Sequence, residues 1–123
     1  MLVTPKHHRL QEAFAEHLKR QRATAIKPNI ERVDIRFAMA GRGQVLAEVK
    51  PTEPTTVRFA IRSAIGQLLD YRQKCGEEVT LLIVISNKPD DEDDLALALE
   101  NGFGLAWRTN KGFEIQWPGS GVV

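Results

Sequence analysis

Asp34, Glu48 and Lys50 are the residues of this chain whose types and spacing could do chemistry. Glu48 and Lys50 stand two apart in QVLAEVK, an alternating stretch that stops at Pro51. Two apart on a strand means one face, so the acid and the amine point the same way. Asp34 lies in VDIRFAM, where Val33, Ile35, Phe37 and Met39 alternate with Asp34, Arg36 and Ala38. The turn AGRG between the two strands sets their register. A three-residue loop centred on Gly41 puts Asp34 directly across from Glu48, with Cβ atoms about 5 Å apart. A two-residue loop slips the register by one and sends the acids to opposite faces.

Two facing carboxylates repel and need a proton, a cation or a metal. Lys50 supplies partial neutralisation. The alternative is a hard divalent cation held by Asp34, Glu48 and a nearby backbone carbonyl, such as that of Val49. Mg²⁺ suits oxygen ligands of this kind. Such an ion acidifies bound water and balances charge on a phosphoryl oxygen. Lys50 beside it could orient or deprotonate that water, or stabilise the developing negative charge. An exposed salt bridge on a hairpin face, worth at most about 1 kcal/mol, explains the same spacing and is the simpler account of these three residues alone.

Gln67 and Tyr71 add a second polar surface. At 100° per residue, Tyr71 lies about 40° from Gln67, and the apolar centre of their helix lies about 140° away. The two share one shoulder between core and solvent, where a side chain looks into a cleft or is partly buried with satisfied hydrogen bonds.

The elements that must hold these residues are legible in the pattern. Thr4 and Pro5 read as N-cap and first turn of a helix over about 5–22, with Leu10, Ala13, Phe14, His17 and Leu18 at helical spacing. A short strand near Ala25 precedes the two hairpin strands. A helix follows from about Val57 to Lys74, with Ile61, Ile65, Leu68 and Leu69 as its apolar stripe and Gly76 as its cap. VTLLIVIS reads as a strand covered on both faces. The acidic run Asp90–Asp94 opens a short helix to about Glu100, and FGLAWR and FEIQW form a closing hairpin across TNKG. The tail PGSGVV reads as loose. Alternating strands and helices predict an α/β fold, with a mixed central sheet flanked by helices, in one domain over residues 1–123.

ERVDIRF, LAEVKP and AIRSAIGQLLDYR together resemble the PD-(D/E)XK nuclease superfamily. Asp34 matches the acid of its first strand motif, and Glu48-Val49-Lys50 matches the Glu-x-Lys motif. The five residues Gln67 to Tyr71 match the Gln-x-x-x-Tyr motif of the RecB-type branch. The similarity covers roughly residues 6–86. It implies a restriction-endonuclease-like core of helix, three-stranded meander, helix and strand. It also implies Mg²⁺- or Mn²⁺-dependent hydrolysis of phosphodiester bonds in DNA. Asp34, Glu48 and the Val49 backbone would hold the ion, Lys50 the water, and Gln67 and Tyr71 the DNA backbone or the metal shell. His7 in HHRLQ is similar to the RecB-type motif in which a helix histidine approaches the metal. Glu12 is the rival for that role, but lies about 200° from Leu10, opposite the core face. Arg62 occupies a place that is often basic in this group; it and Arg36, on the Asp34 face, either meet phosphate or serve in salt bridges. The resemblance equally admits a catalytically inactive module of the same fold that binds nucleic acid or a partner protein. Cutting both strands at once needs two sites, which makes a homodimer an expectation.

The bulk numbers constrain less. A formal net charge of +1 gives no overall pull toward nucleic acid, but Lys6, Arg9, Lys19, Arg20, Arg22 and Lys27 crowd the first quarter. No apolar run is long enough for a membrane helix, and MLVTPKHHRL has no apolar signal region. Cys75 is the sole cysteine, so the expected setting is a reducing cytoplasm.

Overall fold

The structure, a computed structural model, describes residues 4–30 and 33–119. Helix α1 (Pro5–Arg20) begins at Thr4, whose Oγ1 accepts the His7 N–H at 3.1 Å. Pro5 takes the first turn, where a missing N–H costs nothing. Strand β1 (Thr24–Ile30) follows, longer than the short strand expected near Ala25. Its sequence disguises it. Pro28 can donate no ladder bond, Ala25 and Asn29 sit at φ 52° and 54°, and the register shifts between Thr24 and Lys27. An edge strand tolerates all three.

Strands β2 (Val33–Met39) and β3 (Gly43–Lys50) pair antiparallel, in matched steps from Met39 opposite Gly43 to Ile35 opposite Ala47. This is the register of the three-residue loop. Arg42 N–H closes the turn on the Met39 carbonyl at 3.0 Å, and Gly41 and Gly43 take φ 80° and 69°. Helix α2 (Val57–Cys75) ends at Gly76, left-handed at φ 67°. It returns the chain so that β4 (Thr80–Ile85) lies parallel to β3. Helix α3 (Glu92–Leu99) starts at the acidic run. Asp91 caps it by accepting the Asp93 N–H at 2.8 Å, which accounts for these acids as helix-start residues. Strand β5 (Phe103–Thr109) pairs parallel with β4, and β6 (Gly112–Gln116) closes antiparallel on β5.

The result is an α/β fold with a six-stranded mixed sheet in the order β1-β2-β3-β4-β5-β6. One face of the sheet packs under α2 and α3, through Leu46, Ile83, Ile85, Leu105 and Trp107 against Ile61, Ala64, Leu68 and Ala98. The other packs on α1, where Ile35, Phe37, Val45, Ala47, Val49 and Val84 meet Leu10, Phe14 and Leu18. The Phe14 ring touches Phe37 of β2 and Phe113 of β6, with centroids 6.1 and 5.0 Å away. Those strands are four places apart in the sheet, so the sheet curls around α1. Leu69 corrects the expected stripe of α2: it is 40% exposed, and Ala60 and Ala64 join Ile61 and Leu68 on the buried side instead. Small side chains let the helix sit close to the sheet. Residues 120–123, most of the tail expected to be loose, lie outside the described residues, as do Glu31 and Arg32 of the first motif. No helix among the described residues is long and apolar enough to cross a membrane.

Gly104 shows how tight the closing hairpin is. A Cβ there would lie 2.7 Å from the Trp117 ring and 3.0 Å from a Leu82 methyl. Gly104→Ala is expected to cost about 1–3 kcal/mol, read as a lower urea midpoint with unchanged slope. A midpoint equal to that of the parent protein would contradict this packing.

Candidate functional site

The β2–β3 ladder ends at Ile35 opposite Ala47. One step further the backbone N–H of Val49 is taken by a side chain: Asp34 Oδ2 accepts it at 2.8 Å. The two strands part at this point, and the opening between them is where Asp34 and Glu48 sit. The same Asp34 oxygen lies 3.2 Å from His7 Nε2, which reaches over from the first turn of α1. Gln11, one turn after His7, is buried, and its Nε2 donates to the Asp34 carbonyl at 3.0 Å and to Asn29 Oδ1 at 3.1 Å. Asp34 is therefore held at both ends, its backbone by Gln11 and its carboxylate by Val49 and His7. Charge-assisted bonds of this kind are short and directional.

Glu48 faces the α2 side of the sheet, as Leu46 does, and is only 4% exposed. Burial pushes its carboxyl from the usual range up to about 8, the charge of Asp34 adds to the rise, and Lys50 offsets part of it. Lys50 Nζ stands 3.8 Å from Glu48 Oε2, too far for a hydrogen bond. The other oxygen, Glu48 Oε1, is buried and has no hydrogen-bond partner among the described residues. A buried carboxylate oxygen left unpaired is costly, and a carboxyl facing another carboxyl doubles the problem. The far end of β3 is pinned just beyond Lys50. Thr52 N–H donates to Ser86 Oγ at 2.9 Å and Ser86 N–H to Thr52 Oγ1 at 3.3 Å, a reciprocal clip that continues the β3–β4 pairing past Pro51.

Helix α2 runs back antiparallel to β3, so one turn of it spans about the 6 Å of two strand residues. Tyr71 lines a pocket of about 380 Å³ with Leu46, Val33 and Arg36. Gln67 lies one turn earlier on the same shoulder of α2. Its Oε1 is buried and likewise has no hydrogen-bond partner among the described residues.

The other sequence-selected residues fall apart from this group. Arg36 shares the Asp34 face, yet its guanidinium is spent on Gln44 Oε1 and Glu77 Oε2, each at 3.1 Å. Arg62 is exposed one turn after Arg58, which pairs with Asp94 of α3 at 3.0 Å. That flank of α2 looks toward α3, away from Gln67. Glu12 is exposed and pairs with His8 at 2.6 Å. Gln11 is the residue that sequence reasoning left out of the site. Its signal was there: it lies at i+4 from His7 on the edge of the apolar stripe, where a polar side chain must find buried partners.

The donors suit a hard divalent cation. Asp34 and Glu48 offer carboxyl oxygens, and Glu48 Oε1 is buried with no hydrogen-bond partner among the described residues. Among the described residues no three His, Cys, Asp or Glu side chains form a ready-made metal cage. Mg²⁺ needs less than that, since one or two carboxylates with retained waters suffice. His7 Nε2 lies against Asp34 Oδ2, and Val49 contributes its N–H to the same oxygen.

Comparison with protein-family models, with curated proteins and with solved structures finds no match.

Proposed function

We propose that this chain is a divalent-metal-dependent nuclease that hydrolyses phosphodiester bonds in DNA, built on a restriction-endonuclease-like core. The observation that carries the reading is the pairing of buried Glu48 with partly buried Asp34 at the parting of β2 and β3, with Lys50 beside Glu48. Two facing acids, one of them buried, are costly to hold together, and Lys50 at 3.8 Å offsets only part of that cost. A site that binds a cation gives a reason to bear it. The element order α1, β1-β2-β3, α2, β4 supports the core assignment, as it is a helix, a three-stranded meander, a helix and a parallel strand.

Asp34 and Glu48 are the residues that would hold Mg²⁺ or Mn²⁺, and His7 and the Val49 N–H fix the Asp34 carboxylate for that task. When bound, such an ion acidifies water and balances charge on a phosphoryl oxygen. Lys50 orients the attacking water or takes its proton, and its charge offsets the negative charge that builds on the phosphate. Gln67 has a buried oxygen with no partner among the described residues, which suits it to orient a water or a ligand. Tyr71 presents a ring and a hydroxyl one turn further along the DNA path. Cutting both strands at once takes two such sites, so a homodimer belongs to this reading, and the cytoplasm is the compartment proposed. The test is cleavage of single-stranded, duplex and branched DNA by the purified chain in Mg²⁺ or Mn²⁺. Intact substrate in every case would refute the reading.

A further inference from the structure

A groove of about 440 Å³ opens beyond Pro51, at the carboxyl edge of the parallel strands β3, β4 and β5. Ligands of open α/β sheets bind outside that edge. Lys6, Arg9, Thr52, Ser86, Asn87 and Arg108 line it, with Glu53 as its one acid. Glu53 is occupied by Lys6 at 3.1 Å. Arg9 and Arg108, like Arg20, Arg62 and Arg72, have no ion-pair or hydrogen-bond partner among the described residues, but Arg9 and Arg108 alone of these line this groove. The chain thus brings two guanidiniums, from α1 and from β5, to one groove with nothing to balance them. Like charges so placed repel unless an anion joins them.

The hydroxyls point to the same ligand. Thr52 Oγ1 and Ser86 Oγ each accept the other residue's N–H, so each keeps its O–H to donate elsewhere. Two guanidiniums and two free hydroxyl donors, with Glu53 already held by Lys6, suit phosphate oxygens. Lys50 and Thr52 are two residues apart along one extended segment, so the groove adjoins the carboxylate pair.

We propose that this groove seats a backbone phosphate of the nucleic-acid strand next to the bond at the Asp34–Glu48 site, with Arg9 and Arg108 as its contacts. The proposal rests on the nuclease reading for its choice of phosphodiester over other phosphates. Fluorescence anisotropy in EDTA, where nothing is cut, reads it directly. Single-stranded and duplex DNA oligonucleotides are bound by the parent protein and by Arg9→Ala/Arg108→Ala across a salt series. Loss of two phosphate contacts lowers the slope of log K against log salt by about 1.4–1.8. Arg20→Ala/Arg72→Ala, which removes the same charge elsewhere, leaves the slope unchanged. An unchanged slope in the groove variant, an equal fall in the control, or no DNA binding by the parent protein overturns the proposal. A groove variant that loses inorganic phosphate but keeps its oligonucleotide affinity also overturns it, since the groove would then be a free-anion site. Failure of cleavage in Mg²⁺ and Mn²⁺ strikes the nuclease reading and leaves the salt slope standing. Cleavage with an unchanged slope strikes the groove alone.

Discussion

Lys50→Ala is expected to lower DNA cleavage by roughly 10²- to 10⁴-fold, the span of a positioned proton-transfer or charge-balancing group. The substitution is mild for the fold. Lys50 lies at the end of β3, its side chain partly exposed, and its Nζ makes only the long 3.8 Å approach to Glu48. The clip between Thr52 and Ser86 holds the strand end without it. Cleavage and stability should therefore separate, with the thermal midpoint of the variant near that of the parent protein. Asp34→Ala is expected to abolish cleavage as well, but not so cleanly. It frees the Val49 N–H and takes the partner from His7, which costs about 1–3 kcal/mol of stability. Asp34→Asn keeps an acceptor for Val49 and is the better variant for separating chemistry from folding. Single-turnover cleavage in Mg²⁺ is the measurement. A Lys50→Ala protein that cuts at the parent rate would remove Lys50 from the mechanism.

The second large effect is on stability, and it follows from Glu48. The folded protein keeps the Glu48 proton to about pH 8, while the unfolded chain releases it near 4.5. Between those values the folded state binds more protons, so stability falls as pH rises through that window and levels off above it. The loss is on the order of a few kcal/mol, since a tenfold difference in proton affinity between the two states is worth about 1.4 kcal/mol. Glu48→Gln cannot ionise and is expected to be the more stable protein above pH 8 in EDTA. His17 works in the other direction. Burial first, and Arg20 second, hold its pKa below the usual 6.5, so its contribution is lost as pH falls below that value. Both proteins carry His17, and their difference isolates Glu48. Adding Mn²⁺ should then raise the stability of the parent protein and leave Glu48→Gln nearly where it was, because only the parent gains binding free energy. Urea unfolding of both proteins at pH 5 and pH 9, with and without Mn²⁺, is the measurement. A parent protein whose stability does not fall relative to Glu48→Gln between those pH values would contradict the buried, proton-holding Glu48.

Much of this site is legible in the sequence alone. The AGRG turn carries its register in the glycines that allow a left-handed backbone, and Met39 opposite Gly43 is the register that faces Asp34 toward Glu48. Thr4 and Gly76 mark the ends of α1 and α2 because capping is chemistry local to a few residues. What stays hidden depends on residues far apart in the chain. β1 lacks alternation because it is a bulged edge strand whose register with β2 tolerates Pro28. Arg36 looks free on its own strand, and only the fold brings Glu77 to it. Leu69 matches the helical stripe, yet a curled sheet covers a narrower arc of α2 than the pattern suggests. The resemblance brings His7 to the site, and the structure sets its Nε2 3.2 Å from Asp34 Oδ2, an approach that no periodicity records. Arg9 and Arg108 lie in different elements at opposite ends of the sequence, and their meeting at one groove is a property of the sheet order alone.

The central claim is that Asp34 and Glu48 share a divalent cation. Crystals grown in Mn²⁺ and measured at the manganese absorption edge test it most directly. The expected result is one anomalous peak between the two carboxylates, about 2.1 Å from an oxygen of each. A map with no peak there, or with manganese bound only at residues other than Asp34 and Glu48, would contradict it.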